Sequence, residues 1–339
     1  MSQPILILTA LEVEREAVEK HLAELAPAPH PETKTDYTKG KFQGREIIVA
    51  RTNQTNVNAA LETERAIDFF KPCVAIYVGV AGGLKDVQVG DIVIGEEVIG
   101  YERGKTTDEG FKPRPQFGAS SYDMERQAAA YAKTEDWKGM RESLLNRTFH
   151  EEIQVLSGVI ASGEKVDAST NSELHKHIKQ NASHAFAIEM EGLGFLKVCW
   201  TRPSVKSLLL RGISDLVNDK GQMDGKGSQP YASQNVAAFL FGFLGQLESS
   251  QEIDTPSRSD VLFEVFCKLY PRGIEDQGIW VRSGGDLSMV PLYQAGKGQW
   301  TEALRLIGNG GGGDISEERL IGKALEDFGG NVGLQNLKT

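Results

Sequence analysis

Short apolar runs rich in β-branched residues alternate with stretches whose apolar positions recur every three or four residues. This alternation constrains the fold more than any other feature of the chain. Ile5 to Ala10 is one such run, and Leu11, Val18 and Leu22 behind it fall at helical spacing. Arg45 to Arg51, Cys73 to Val80, Asp91 to Ile99, Gln154 to Ala161 and Ser207 to Arg211 read as further strands. Helices are expected near Asn58 to Phe70, Ser172 to Gln180, Glu191 to Trp200 and Gln234 to Leu247. Such alternation predicts an α/β sheet covered by helices on both faces. Arg103 to Ser121, polar and carrying Pro113 and Pro115, reads as one long loop.

The pattern changes after residue 247. Glu248 to Asp260 is polar and has no apolar period, and three helix-like segments follow it: Val261 to Tyr270, Trp300 to Ile307 and Glu317 to Phe328. A chain of 339 residues exceeds the roughly 100 to 200 residues of one ordinary domain. We therefore expect an α/β domain over 1–250, a linker over 251–260 and a small all-α domain over 261–339.

Charge excludes one class of partner. Residues 1–250 hold 28 basic against 34 acidic side chains, and residues 251–339 hold 9 against 13. Neither part has the basic excess that neutralises a nucleic-acid backbone. Cys73, Cys199 and Cys267 stand far apart in apolar surroundings, which suits a reducing compartment better than a disulfide framework. Met1 to Ala10 lacks a basic start, and no stretch approaches about 18 uninterrupted apolar residues. A cytoplasmic protein without a membrane anchor is expected. His175 and His177 would face apart on their helix with no third ligand nearby, so no metal is expected, and no cofactor either.

Three acidic clusters lie at or beside strand ends, where α/β sheets place ligand chemistry: Glu12-Val-Glu14, Glu189-Met-Glu191 and Ser214-Asp215. Carboxyl groups suit the cleavage of a purine N-glycosidic bond. One protonated acid can serve the departing base at N7, while others hold the ribose hydroxyls and activate the attacking water.

Five ordered motifs carry a resemblance: Ala10-Leu-Glu-Val-Glu14, Val80-Ala-Gly-Gly-Leu84, Val89-Gly-Asp-Ile-Val93, Ile188-Glu-Met-Glu-Gly192 and Arg211-Gly-Ile-Ser-Asp215. Over roughly residues 4–247 the chain resembles the nucleoside phosphorylase superfamily, and within it the 5′-methylthioadenosine/S-adenosylhomocysteine nucleosidases. The resemblance implies a mixed twisted sheet flanked by helices, a purine nucleoside or nucleotide substrate and a homo-oligomer, a dimer or higher. It implies that Glu14 activates water, that Glu191 holds the ribose hydroxyls and that Asp215, supported by Ser214, protonates the purine. Glu189 and Met190 would line the ribose side, with Ala81 and Gly82 in a glycine turn beside the sugar.

The chain departs from that family in two places. Thr52-Asn-Gln-Thr-Asn56 stands where the family has a glycine-rich turn, so an anion there would meet amides and hydroxyls. Ser162 to Asp167 offers Val166 to stack on a base and Asp167 to accept its amino hydrogens, but Lys165 is out of keeping with an uncharged thioether tail. With Arg51, Arg103, Lys105 and Arg114, that lysine points to a phosphorylated substrate such as ATP.

The segments Gln299-Trp-Thr-Glu-Ala-Leu, Gly310 to Gly313, Ala324-Leu-Glu-Asp-Phe328 and Asn331-Val-Gly-Leu334 resemble the effector-associated, death-like adaptor domains of bacterial conflict systems. That resemblance implies recruitment, through 261–339, of a partner carrying a matching domain, and a role as an effector in antiviral or stress defence. Gly308 to Gly313 lacks the Gly-Lys-Ser/Thr of a phosphate loop and reads as a flexible turn before a cap at Asp314 or Ser316. Two alternatives to a hydrolase stay open: a phosphate-dependent phosphorylase and a purine-nucleotide sensor without turnover.

Overall fold

Every residue of the strand Ile5–Thr9 (β1) is buried, because helices cover both faces of the sheet it joins. Ile5 and Ile7 enter one apolar layer while Leu6 and Leu8 enter the other, the alternation of a pleated strand. The computed structural model describes residues 3–108, 110–134, 136–145, 152–165, 171–217, 228–247, 258–290 and 296–338. It divides into two compact units, Met1–Ser250 and Gln251–Thr339.

In the first unit β1 is followed by α1 (Glu12–Glu19), β2 (Ala23–Pro27), β3 (Tyr37–Phe42), β4 (Arg45–Arg51) and α2 (Asn56–Phe70). Next come β5 (Val74–Gly83), β6 (Ile92–Gly100), β7 (Gly104–Thr107), β8 (Gly110–Pro113) and β9 (Gln116–Ala119). The unit continues with α3 (Tyr122–Ala132), α4 (Asp136–Leu145), β10 (Val155–Ser162), α5 (Glu173–Asn181), β11 (Ala187–Glu189), α6 (Gly192–Trp200), β12 (Lys206–Leu216) and α7 (Ser228–Gln246). Val18 of α1, Met124 of α3, Trp137 of α4 and Phe239 of α7 share one apolar layer, whereas Ala59 of α2 and Phe195 of α6 belong to the other.

The main sheet runs β11-β10-β6-β12-β5-β1-β4-β3-β2, with β9 added to β6. It is mixed: β1, β4, β5 and β12 lie parallel in succession, while β12 meets β6 antiparallel. The end of β5 also pairs antiparallel with β11. Strands β5, β12, β6, β10 and β11 therefore form a closed ring of pairings. Around this closure Gly82 of β5 stands abreast of Ile188 of β11 on one side and Asp215 of β12 on the other.

The polar stretch 103–121 is not one loop. It holds the hairpin β7–β8 and the strand β9. The described residues of β7 lie largely exposed, so no apolar alternation marks it. The edge strand β2 is exposed along its whole length and is silent in the sequence for the same reason.

The second unit contains α8 (Arg258–Leu269), α9 (Ile279–Arg282), α10 (Gly296–Gly308), α11 (Glu317–Asp327) and α12 (Val332–Lys338). Residues 248–257, most of the expected linker, lie outside the described residues, and its last three positions already belong to α8. The core gathers Leu262, Phe266, Tyr270, Trp280, Trp300, Leu320 and Leu334. The glycine run is more than a spacer. Gly312 and Gly313 adopt positive φ, Asp286 N–H donates to Gly312 O at 2.8 Å, and Gly285 bridges Gly313. A Cβ at Gly285 would stand 2.4 Å from the Trp280 indole. Ser316 caps α11, its side chain accepting from Arg319 N–H. Among the described residues no helix is long and apolar enough to cross a membrane.

Candidate active site

The cleft is built where β1, β5, β11 and β12 end. Helix α1 opens with Glu14 in its first turn, and the side chain folds back over the helix start. Glu14 Oε2 accepts the N–H groups of Ala10 at 2.8 Å and Leu11 at 2.9 Å, while Oε1 accepts that of Val80 at 2.7 Å. A carboxylate offers about four lone-pair sites, so one on Oε1 stays open. Burial raises the Glu14 pKa above its ordinary value, against Arg211 and the three N–H donors, which lower it. A carboxylate of raised pKa with one unfilled site is a suitable general base for water.

Arg211 lies wholly buried in β12, in the midst of the carboxylates. One nitrogen, Nη2, pairs closely with Glu189 Oε2 and lies 3.2 Å from Glu191 Oε2, and the guanidinium sits 4.9 Å from the centre of the Tyr77 ring. Burial penalises this cation, yet Glu189 and Glu191 more than offset the penalty and raise its pKa. Gly79 makes the arrangement possible, because a Cβ there would come within 2.4 Å of Arg211 Nη1 and 2.6 Å of Glu14 Oε1.

Glu189 acts as a brace. Its Oε2 also accepts the N–H groups of Glu191 at 2.9 Å and Gly192 at 2.7 Å, at the start of α6, where a helix favours negative charge. Glu191 accepts Thr55 N–H at 3.2 Å. Burial, then the neighbouring Glu189 and Glu14, push its pKa up to about 7 in spite of Arg211. The 52–56 segment thus contributes a backbone donor to an acid of the cleft. Its Asn56 side chain accepts from Gly194 N–H at 2.8 Å and from Ser162 Oγ at 3.1 Å.

Asp215 comes into place through a bulge. The β12–β5 register shifts between Ile213 and Asp215, and such an insertion re-aims the side chains beyond it. Asp215 is buried; its Oδ2 accepts from Ser214 Oγ at 2.7 Å, while Oδ1 has no hydrogen-bond partner among the described residues. Oδ1 is therefore open to whatever fills the cleft. The cleft is open to solvent, and its open space, solvent included, measures about 610 Å³.

Comparison with known proteins gives the family of the chain. A family profile described as the phosphorylase superfamily matches residues 4–244. The chain belongs to the phosphorylase superfamily. The 5′-methylthioadenosine/S-adenosylhomocysteine nucleosidase of Staphylococcus aureus is 26% identical over 242 residues, covering 71% of this chain and 99% of that one. The structure of the Neisseria meningitidis enzyme of that name, in complex with methylthio-immucillin-A, superposes with a TM-score of 0.59 at 24% identity, over 72% of this chain and 100% of its own. Futalosine hydrolase of Helicobacter pylori gives a TM-score of 0.58 at 24% identity, over 73% and 99%. These two structures share the fold.

For this phosphorylase-superfamily member the cleft brings together Glu14, Ala81, Gly82, Lys165, Glu189, Met190, Glu191, Ser214 and Asp215. Arg51 is not among the lining residues; it is partly exposed and pairs with Glu12 Oε2 at 2.8 Å. Val166 and Asp167 lie outside the described residues. Three participants were given no role in the sequence, Arg211, Gly79 and Gln229, and Gln54 entered only as part of the 52–56 segment. A charge inside the apolar run Ser207 to Arg211 is a signal that could have exposed Arg211. Gln229 lines the cleft from a distant part of the chain and carries no such mark. His175 is buried, while His177 Nε2 lies 2.8 Å from Tyr101 O.

Proposed function

We propose that the chain is a purine nucleosidase, which hydrolyses the N-glycosidic bond of a purine nucleoside or nucleotide and releases the free base. The observation that carries this reading is Asp215, buried beside Gly82 with one carboxyl oxygen fixed by Ser214 and the other unpaired among the described residues. Asp215 protonates the base at N7, Glu191 accepts hydrogen bonds from the ribose hydroxyls, and Glu14 takes a proton from the attacking water through its remaining lone pair. Arg211 keeps three like charges together without neutralising any one of them outright.

The favoured substrate is an adenine nucleotide, ATP or a relative. Lys165 on the cleft lining supports this, since an ammonium suits a phosphate and not a thioether. In this reading the enzyme depletes nucleotide as an effector in antiviral or stress defence, acts in the cytoplasm as a homo-oligomer, and is recruited through 261–339 by a protein carrying a similar helical domain. Incubation of the full chain with ATP, AMP, adenosine, inosine and methylthioadenosine, with and without inorganic phosphate, tests it by chromatography of the products. Free base without added phosphate is the expected result. Release that requires phosphate selects a phosphorylase, and tight binding with no base from any purine selects a sensor.

A further inference from the structure

We propose that Glu102 is a specificity-determining residue, the built-in competitor that a substrate phosphate must displace from Lys165. The inference rests on the nucleotide reading above and adds to it the residue that sets how strongly a phosphate is preferred.

The four acids Glu14, Glu189, Glu191 and Asp215 line the cleft, and Lys165 is the one cationic side chain that does so among the described residues. Arg211 is already committed to Glu189 and Glu191, so among the described residues an anionic group entering the cleft finds its available cation at Lys165. That lysine is already engaged, its Nζ lying 3.2 Å from Glu102 Oε1. The contact is between charges only, because this oxygen has no aligned hydrogen bond. Lys165 is 70% exposed against 24% for Glu102, so the lysine is the partner free to swing away.

Glu102 cannot follow it. Its other oxygen, Oε2, accepts the N–H of Glu164 at 2.8 Å. The anchoring follows from the sheet, since parallel β6 and β10 align Gly100 with Ser162 and carry Glu102 and Glu164 side by side two residues past the strand ends. Glu102 lines a separate hollow with Gln116, Gly163, Glu164 and Lys197, whereas Lys165 lines the cleft. The ion pair thus crosses the wall between the two spaces, with its carboxylate moored and its ammonium movable. A phosphate, with more charge and more acceptors than one carboxylate oxygen, is suited to take the lysine over.

Isosteric Glu102→Gln keeps an oxygen for Glu164 N–H and removes the competing charge. The readout is the ratio of kcat/KM for AMP to that for adenosine, measured on the full chain. Glu102→Gln should raise this preference about threefold, the scale of a part-exposed ion pair. Lys165→Met should lower it about tenfold or more, and Lys165→Arg should restore most of it. The double variant Glu102→Gln/Lys165→Met should match Lys165→Met, since without the lysine Glu102 has nothing to withhold. A wild-type enzyme that cleaves AMP but whose preference is unmoved by Glu102→Gln, or a double variant in which the two factors simply multiply, overturns the inference and leaves the nucleotide reading intact. Cleavage of adenosine with none of AMP or ATP overturns both.

Discussion

The two compact units treat charge in opposite ways. The first buries Glu14, Glu189, Glu191, Arg211 and Asp215 together at the meeting of its strands. The second builds its centre from apolar side chains such as Phe266, Trp280 and Trp300 and keeps its ion pairs toward the surface, as in Arg282 with Asp327 and Arg305 with Glu302. Buried charge costs solvation that only close partners return; among the described residues the second unit buries one acid, Asp276, against the exposed Arg272, whereas the first gathers five buried charges, and there we propose the chemistry is done. In the proposed function the carboxylates at the strand ends are the tools; the helical unit is a packed body.

Substitutions can break this contrast at graded strengths. Asp215→Asn should lower base release about 10²- to 10⁴-fold, the range for a general acid, with the circular dichroism spectrum of the parent; release at the parental rate would remove Asp215 from its role. Arg211→Met strips the one cation from three buried carboxylates and should cost about 3–5 kcal/mol in urea unfolding. Arg282→Met, whose side chain is 36% exposed, should cost less than about 1 kcal/mol. Equal losses from the two would erase the distinction between the units.

The glycines sharpen it. Gly79→Ala should force apart Arg211 and Glu14 and depress kcat, whereas Gly285→Ala should press on Trp280 and cost about 1–3 kcal/mol by overpacking without reaching the cleft. Hydrogen exchange followed by mass spectrometry would show protection lost in 258–338 for Gly285→Ala and retained there for Gly79→Ala.

The smallest effect is one of pH. Glu191 holds its proton from the ordinary 4.5 up to about 7 in the folded chain. Between those values the unfolded chain has already lost the proton, so the folded state binds more protons and its stability falls as pH rises through the window. Below about 4.5 both states are protonated and the contribution is constant. Glu191→Gln should flatten that part of the stability profile, and an unchanged slope would assign the titration elsewhere. If the ionised form holds the ribose hydroxyls, kcat/KM should climb as pH passes about 7.

The parts of this design legible in the sequence are those with a local signature. Ile5 to Ala10 and Cys73 to Val80 declare buried strands because both of their faces are covered, and Glu14, Glu191 and Asp215 stand in short motifs that keep their order. The hairpin within 103–121 and the edge strand β2 are too exposed to leave an apolar period. Gly79 matters through the room that Arg211 and Glu14 need beside it, and a relation between β5 and β12 is written in neither stretch alone. The closed ring of strands escaped for the same reason, since it depends on three-residue β11 reaching the end of β5.

That dependence on distant partners has a consequence for synthesis. Glu14 leaves the ribosome early, but its third donor is Val80, its cationic neighbour is Arg211, and the acid abreast of Gly82 arrives at Asp215, with Gln229 later still. Contacts of such long sequence separation form late in folding. A nascent chain that has emerged only through α6 therefore has a carboxylate without its acid or its cation, and the proposed nucleosidase stays incomplete until the last strand of the sheet is in place.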